Sequence, residues 1–98
     1  MVVLLATLQA GDSAYGVTIK KEIERRTKRE VSRGSVYITL ERLERKGFVS
    51  SHMGEPTSVR GGRAKRFFVV EPTGLRALRK SLEDLAEMRE GLELLPDV

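Results

Sequence analysis

The side chains able to do chemistry in this chain are few, and most of them are cations. Its 98 residues include no cysteine and a single histidine, His52. No thiolate nucleophile, disulfide framework or thiolate metal site can be built, and one imidazole does not make a metal centre. Ser13-Ala14-Tyr15-Gly16 lacks the frame of a strained nucleophile elbow. Gly61-Gly62 is too short and wrongly placed for a nucleotide-cradling loop. No catalytic residue, metal or cofactor is expected, and an enzyme is not the reading. By contrast, Arg60-Gly61-Gly62-Arg63-Ala64-Lys65-Arg66 gathers four cations into seven residues around a flexible Gly-Gly pair. Such a tip suits a phosphate chain or a minor groove. A second set is Ser32-Arg33-Gly34-Ser35: an arginine can give two donors to guanine O6 and N7, and a short serine can bond a base or a phosphate.

The charge is unevenly distributed along the chain. The net charge is +4, but between Lys20 and Arg66 fourteen Lys/Arg face six Glu, a local balance of +8. From Phe67 to Val98 four Lys/Arg face seven Asp/Glu, a balance of −3. A basic middle that could meet a polyanion and a mildly acidic tail point to two separate jobs. A solvated charged surface would have the same composition, so charge alone does not choose between the two.

These residues need elements to position them. Met1 to Gln9 reads as a helix that is apolar nearly all round; no Lys or Arg precedes the apolar run, which favours a buried helix over a targeting segment. No stretch approaches the roughly 20 apolar residues of a membrane span. Ala10, Gly11 and Asp12 make a turn, and Asp12 or Ser13 is the expected cap of a second helix running to about Arg26. Tyr15, Ile19 and Ile23 share one face of that helix, and Gly16 in its first turn predicts a close packing contact. Thr27 to Val31 is a short connector. Ser32 caps a third helix over Arg33 to Lys46, whose Val36, Leu40 and Leu43 form one buried stripe, with Gly47 as its left-handed terminator. Phe48 to Ser50 begins a strand, Met53 to Ala64 reads as a loop, and Lys65 to Val70 is a second strand. Thr73 is the expected cap of a last helix starting near Gly74. Leu75, Leu78, Leu82, Leu85, Met88, Leu92 and Leu95 follow at spacings of 3, 4, 3, 3, 4 and 3, close to a heptad seam, with Gly91 weakening the helix before Pro96 stops it.

The order helix, helix, helix, strand, basic loop, strand, helix predicts a mainly α, α+β winged helix. A three-helix helix-turn-helix core and a hairpin wing span 1–73, and a C-terminal dimerisation helix spans 74–98. In such a fold the second helix of the pair, about 33–46 here, enters the major groove, and the hairpin over 53–66 lies on the backbone or in the minor groove. The stripe leaves Ser32, Arg33, Ser35, Tyr37, Ile38 and Arg42 for double-stranded DNA, joined by Arg60, Arg63, Lys65 and Arg66 of the wing. Ile38 suits a thymine methyl group, while Tyr37 suits equally a phosphate contact or the rim of the core. Leu4, Leu8, Leu75, Leu78, Leu82, Leu85, Met88 and Leu92 are the expected homodimer surface. The alternative, from another class, is a winged-helix protein–protein interaction module without specific DNA binding.

Several of these pieces together resemble the PadR family of bacterial transcriptional regulators. They are Ala14-Tyr15-Gly16-Val17, then Ser32-Arg33-Gly34-Ser35-Val36-Tyr37, then the run from Leu40 to Val49, then Gly61-Gly62-Arg63-Ala64-Lys65-Arg66-Phe67-Phe68, and finally Glu71-Pro72-Thr73-Gly74. The resemblance implies a dimeric, cytoplasmic repressor, often of neighbouring genes and of its own. It places Ser35, Tyr37 and the basic wing tip on DNA. Some family members release DNA on binding a small aromatic ligand, which makes such an effector a candidate partner. This chain is like the short members, with one C-terminal helix in place of a larger domain, and that argues against ligand sensing. Relatives usually have several residues ahead of the first helix, whereas Met1 falls inside it; a start further upstream or a trimmed chain is expected.

Overall fold

The computed structural model describes residues 1–54 and 64–92. Among them α1 (Val2–Ala10) leads through a one-turn 3-10 helix (Gly11–Ser13) into α2 (Gly16–Thr27) and α3 (Arg33–Arg45). The strands β1 (Val49–Met53) and β2 (Arg66–Val70) and the helix α4 (Pro72–Arg89) follow. This is the expected α+β winged helix.

The helical stripes predicted from spacing are the ones that pack. Leu4 and Ala6 of α1, Ile19 and Ile23 of α2, and Val36, Leu40 and Leu43 of α3 form one buried cluster with Ala14, Val49, Phe68 and Leu78. Burying a side chain such as Ile19 or Leu40 completely contributes about 1.5–3 kcal/mol. The buried polar side chain Thr7 donates its hydroxyl to the Val3 carbonyl at 2.7 Å, so it brings no unpaired group into the core. The packing contact expected at Gly16 is with Tyr37: a Cβ at Gly16 would lie 2.6 Å from that ring. A methyl group at Gly16 would require the Tyr37 ring to move aside.

Helix ends differ from expectation where tertiary pairing intervenes. The cap of α2 is neither Asp12 nor Ser13. Ala14 and Tyr15 are extended, which moves the N-cap to Tyr15, and the Thr18 hydroxyl accepts from the Tyr15 N–H at 3.0 Å. The reason is β2: the Phe68 N–H donates to the Ala14 carbonyl at 2.8 Å, and Tyr15 bridges to Phe67. For α3 the expectation holds at the N-terminus, where Ser32 Oγ accepts from the Ser35 N–H at 3.1 Å. The helix ends one residue early, at Arg45, with Lys46 as its C-cap. Gly47 then takes a φ of +78°, and the Phe48 and Gly47 N–H groups bond the Leu43 and Glu44 carbonyls, each at 2.9 Å. That pair of bonds is the Schellman arrangement, which satisfies two orphan carbonyls.

The hairpin is antiparallel and in register from Val49↔Val70 to Met53↔Arg66. Met53, read as loop, is therefore in β1; its polar neighbours carry no local strand signal, and pairing with β2 supplies the hydrogen bonds. The last helix begins at Pro72, two residues before the expected start. Proline suits the first helical position because its missing N–H would have no partner there. Thr73 does not cap the helix; its hydroxyl donates to the Gly47 carbonyl and ties α4 to the turn after α3. Gly74 lies against Phe48, where a Cβ would come within 2.2 Å of the carbonyl oxygen. At the other end α4 stops at Arg89, and Gly91 has a φ of +83°. Leu95 and Pro96 lie outside the described residues.

The two helical glycines Gly74 and Gly34 should respond in opposite ways to alanine. Gly74→Ala drives a methyl group into backbone and is expected to cost about 1–3 kcal/mol, several degrees in a thermal melt. Gly34 has nothing within 4 Å of its Cβ position, so Gly34→Ala is expected to be neutral or stabilising by up to about 1 kcal/mol. Equal melting temperatures for the two variants would contradict the packing described at Gly74.

Candidate nucleic-acid interface

With Val36, Leu40 and Leu43 turned into the core, the opposite side of α3 is left to solvent. Ser32, Arg33, Ser35, Ile38 and Arg42 are all exposed, Ile38 at 57 % despite being apolar and β-branched. Ser35, Ile38 and Arg42 follow at i, i+3 and i+7 and so line one face. Arg45 continues that face at i+10 and is exposed as well. Arg45 is not among the contacts expected from the sequence, although the 3.6-residue period from Ile38 is enough to find it. The Ser32 and Ser35 hydroxyls are engaged with each other at 2.9 Å, and Ser35 Oγ also donates to the Ser32 carbonyl at 3.0 Å. Tyr37 is half-buried over Gly16 and faces α2, which separates it from the exposed set.

The connector between α2 and α3 is held by Glu24. Its carboxylate accepts from Lys20 Nζ at 3.0 and 3.1 Å and from the Val31 N–H at 3.1 Å. The Lys20 ammonium first, and then the Val31 N–H, hold this carboxyl below the usual glutamate range. Glu22 is likewise held low, by Arg26 first and then Arg25. Lys28 turns the chain out of α2 with a φ of +60°, a left-handed conformation uncommon for a side-chain-bearing residue. Glu24 thus sets where α3 begins, and with it the position of Ser32 and Arg33.

The base of the wing is fixed by contacts with no local sequence signal. Tyr15 meets the Phe67 ring edge-on at 5.5 Å between centroids. Lys65 Nζ stands 4.6 Å from the Tyr15 ring centre and donates to its hydroxyl at 3.3 Å. Arg66 pairs with Glu44 at 3.1 Å and donates from Nε to Ser51 Oγ at 2.9 Å. Lys65 and Arg66 are therefore both engaged by their own chain, though both are exposed. Arg60 and Arg63 lie outside the described residues.

The expected self-association residues separate into two groups. Leu4 and Leu78 are buried in the chain's own core, which removes them from the free surface. Leu8, Leu75, Leu82, Leu85, Met88 and Leu92 are exposed, as are Val2 and Leu5 of α1. Beyond Leu78 every described residue of α4 is exposed. Among the described residues no group of acidic, His or Cys side chains could hold a metal, and no helix is long and apolar enough to cross a membrane.

A helix pair joined by a tight connector, its second helix bare on one face and flanked by a hairpin, defines a winged helix-turn-helix. The chain belongs to the PadR-like family of transcriptional regulators, whose model matches residues 4–80. No curated protein matches the chain. Among solved structures it is similar to a transcriptional regulator from Clostridium thermocellum, at 23 % identity and a TM-score of 0.76, covering 91 % of this chain and 83 % of that one. A PadR family regulator from Eggerthella lenta is similar at 22 % identity and a TM-score of 0.73, over 91 % and 75 % of the two chains. One from Clostridium difficile is similar at 21 % identity and 0.67, over 91 % of each. At these identities the likeness speaks for the fold.

The role of Glu24 carries a pH dependence. A carboxyl whose folded pKa is depressed stabilises the native state above its unfolded pKa, and the contribution is lost as pH falls through the lower, folded value. Wild-type stability is therefore expected to decline on the acid side of the ordinary glutamate range, and Glu24→Gln should flatten part of that decline. Denaturant melts of both proteins between neutral and acid pH check this; parallel curves would remove Glu24 from the account.

Proposed function

We propose that the chain is a sequence-specific, duplex-DNA-binding repressor acting as a homodimer. The observation that carries the reading is the bare face of α3, where Ser35, Ile38 and Arg42 stand exposed on a helix whose other side is locked into the core, with Arg33 exposed at its N-terminal end. In this reading Arg33 offers two donors to a guanine edge, Ile38 meets a thymine methyl group, and Arg42 reaches the backbone. Ser32 and Ser35 sit at the helix N-terminus, where free N–H groups and the dipole favour a phosphate. Tyr37 contributes from the rim. Lys65 and the cations at 60 and 63 extend the positive footprint along the neighbouring phosphates.

Dimerisation fits a division into a DNA-binding part over 1–73 and a C-terminal dimerisation segment over 74–98, which is part of this proposal. An amphipathic helix with Leu75, Leu82, Leu85, Met88 and Leu92 in water is incomplete by itself. A second copy laid along it would bury this seam together with Leu8 of α1. Two α3 helices would then face two half-sites about one turn of DNA apart. The small aromatic effector that the family resemblance implies has a candidate place in an open groove of about 450 Å³ lined by Leu8, His52, Phe67 and Val69 among others.

The test is selection of binding sites from random duplexes, followed by anisotropy titration at several salt concentrations. A two-fold-symmetric site preferred by about a thousandfold or more over random DNA is expected. Arg33→Ala should weaken that site more than random DNA, and equal weakening would make Arg33 a phosphate contact only. A steep salt slope with no preferred sequence would reduce the function to non-specific binding, and no binding at all would favour a protein-binding module. Replacing Leu82 and Leu85 with glutamate should yield monomers by light scattering; an unchanged mass would refute the assigned seam.

A further inference from the structure

Glu44 is an acidic residue between the recognition helix and the wing, the two elements read as meeting a polyanion. It sits in the last turn of α3, next to the exposed Arg45 and three residues after Glu41. Both of its carboxylate oxygens are used. Oε1 accepts from Arg66 at 3.1 Å, and Oε2 accepts from the Ser51 hydroxyl at 2.7 Å. Arg66 Nε closes the ring by donating to Ser51 Oγ at 2.9 Å, and its guanidinium lies 5.8 Å from the Phe68 ring centre. The three residues come from α3, β1 and β2, so the ring ties the recognition helix to both strands of the wing. Arg66 is the first residue of β2 and follows Lys65 directly.

We propose that Glu44 is a positioning residue for DNA binding: it holds Arg66 as a strut that sets the angle of the wing to α3, and Arg66 acts through that strut and not as a phosphate ligand. This rests on the DNA-binding reading above. Exposure supports it, because side chains left 48 % and 31 % accessible form a pair that adds little to stability. Two of the three guanidinium nitrogens, Nε and Nη2, are committed to two partners in fixed geometry, and Nη1 alone has no partner among the described residues. An anion at this place repels DNA, so its neutralisation by Arg66 removes a repulsion while it fixes the wing.

The experiment titrates the selected duplex at three salt concentrations with wild type, Glu44→Gln, Arg66→Gln, the double variant and Ser51→Ala, each checked by thermal melt. Glu44→Gln removes a negative charge from the DNA side, and pure electrostatics would tighten binding. The strut requires the opposite sign, a weakening of about fivefold. Arg66→Gln is expected to match it, and the double variant to bind no worse than either single one, since all three break the same link. Ser51→Ala keeps both charges and should weaken binding by a smaller factor, which serves if a charge variant melts early. The log–log salt slope should be the same in all five proteins. Unchanged or tighter binding by Glu44→Gln overturns the proposal, and so does a slope smaller by about 0.9 in Arg66→Gln, the mark of one lost phosphate contact. If wild type binds no duplex, the DNA reading itself falls; if wild type binds and only the variants disagree, the strut alone falls.

Discussion

The arrangement of this small protein depends on where β2 is held. A two-stranded hairpin in water is marginal at best, and this one would have no fixed relation to the helices if it were attached only at its ends. It is held because β2 is paired on both edges. On one side it runs antiparallel to β1, and on the other the Phe68 N–H reaches the Ala14 carbonyl while Phe68 itself is buried among the helices. That single strand decides the extended conformation of Ala14 and Tyr15, hence the start of α2. It also brings Lys65 to Tyr15 and Arg66 to Glu44.

A second constraint is size. A chain of 98 residues buries a smaller fraction of its unfolded surface than a large domain does. The core accordingly draws on all four α-helices and both strands, down to one residue of α4, Leu78, with Gly16 under the Tyr37 ring and Gly74 against the Phe48 backbone. The remainder of α4 is left projecting, and the molecule extends 55 Å in its longest direction against 20 Å in its shortest. The same economy that packs the head leaves an apolar seam for another surface to cover.

Electrostatics then divides the outside. The basic residues of the middle segment are not uniformly free. Lys20, Arg25 and Arg26 are paired with glutamates on α2, and Arg66 with Glu44, whereas Arg33 at the N-terminal end of α3 and Arg42 on its outward face have no ion pair among the described residues.

Sequence alone determined the elements, and it did so wherever a local rule applied. The i, i+4, i+7 stripe of Val36, Leu40 and Leu43 is a property of helix period, the Ser32 cap of one side chain's reach, and the Gly47 terminator of one residue's freedom at positive φ. The exposed residues Ser35, Ile38 and Arg42 follow from that stripe by subtraction, and Arg33 from its place in the first turn. The tertiary structure decided what depends on partners distant in the chain. Neither the Glu44–Ser51–Arg66 ring, with 22 residues between its ends, nor the Lys65 contact with Tyr15, 50 residues away, has any local signature. It also decided which apolar residues are spent internally. Leu4 and Leu78 read the same as Leu8 and Leu82 in a periodic pattern, but burial is a property of neighbours in space, and only the folded chain distinguishes the two pairs.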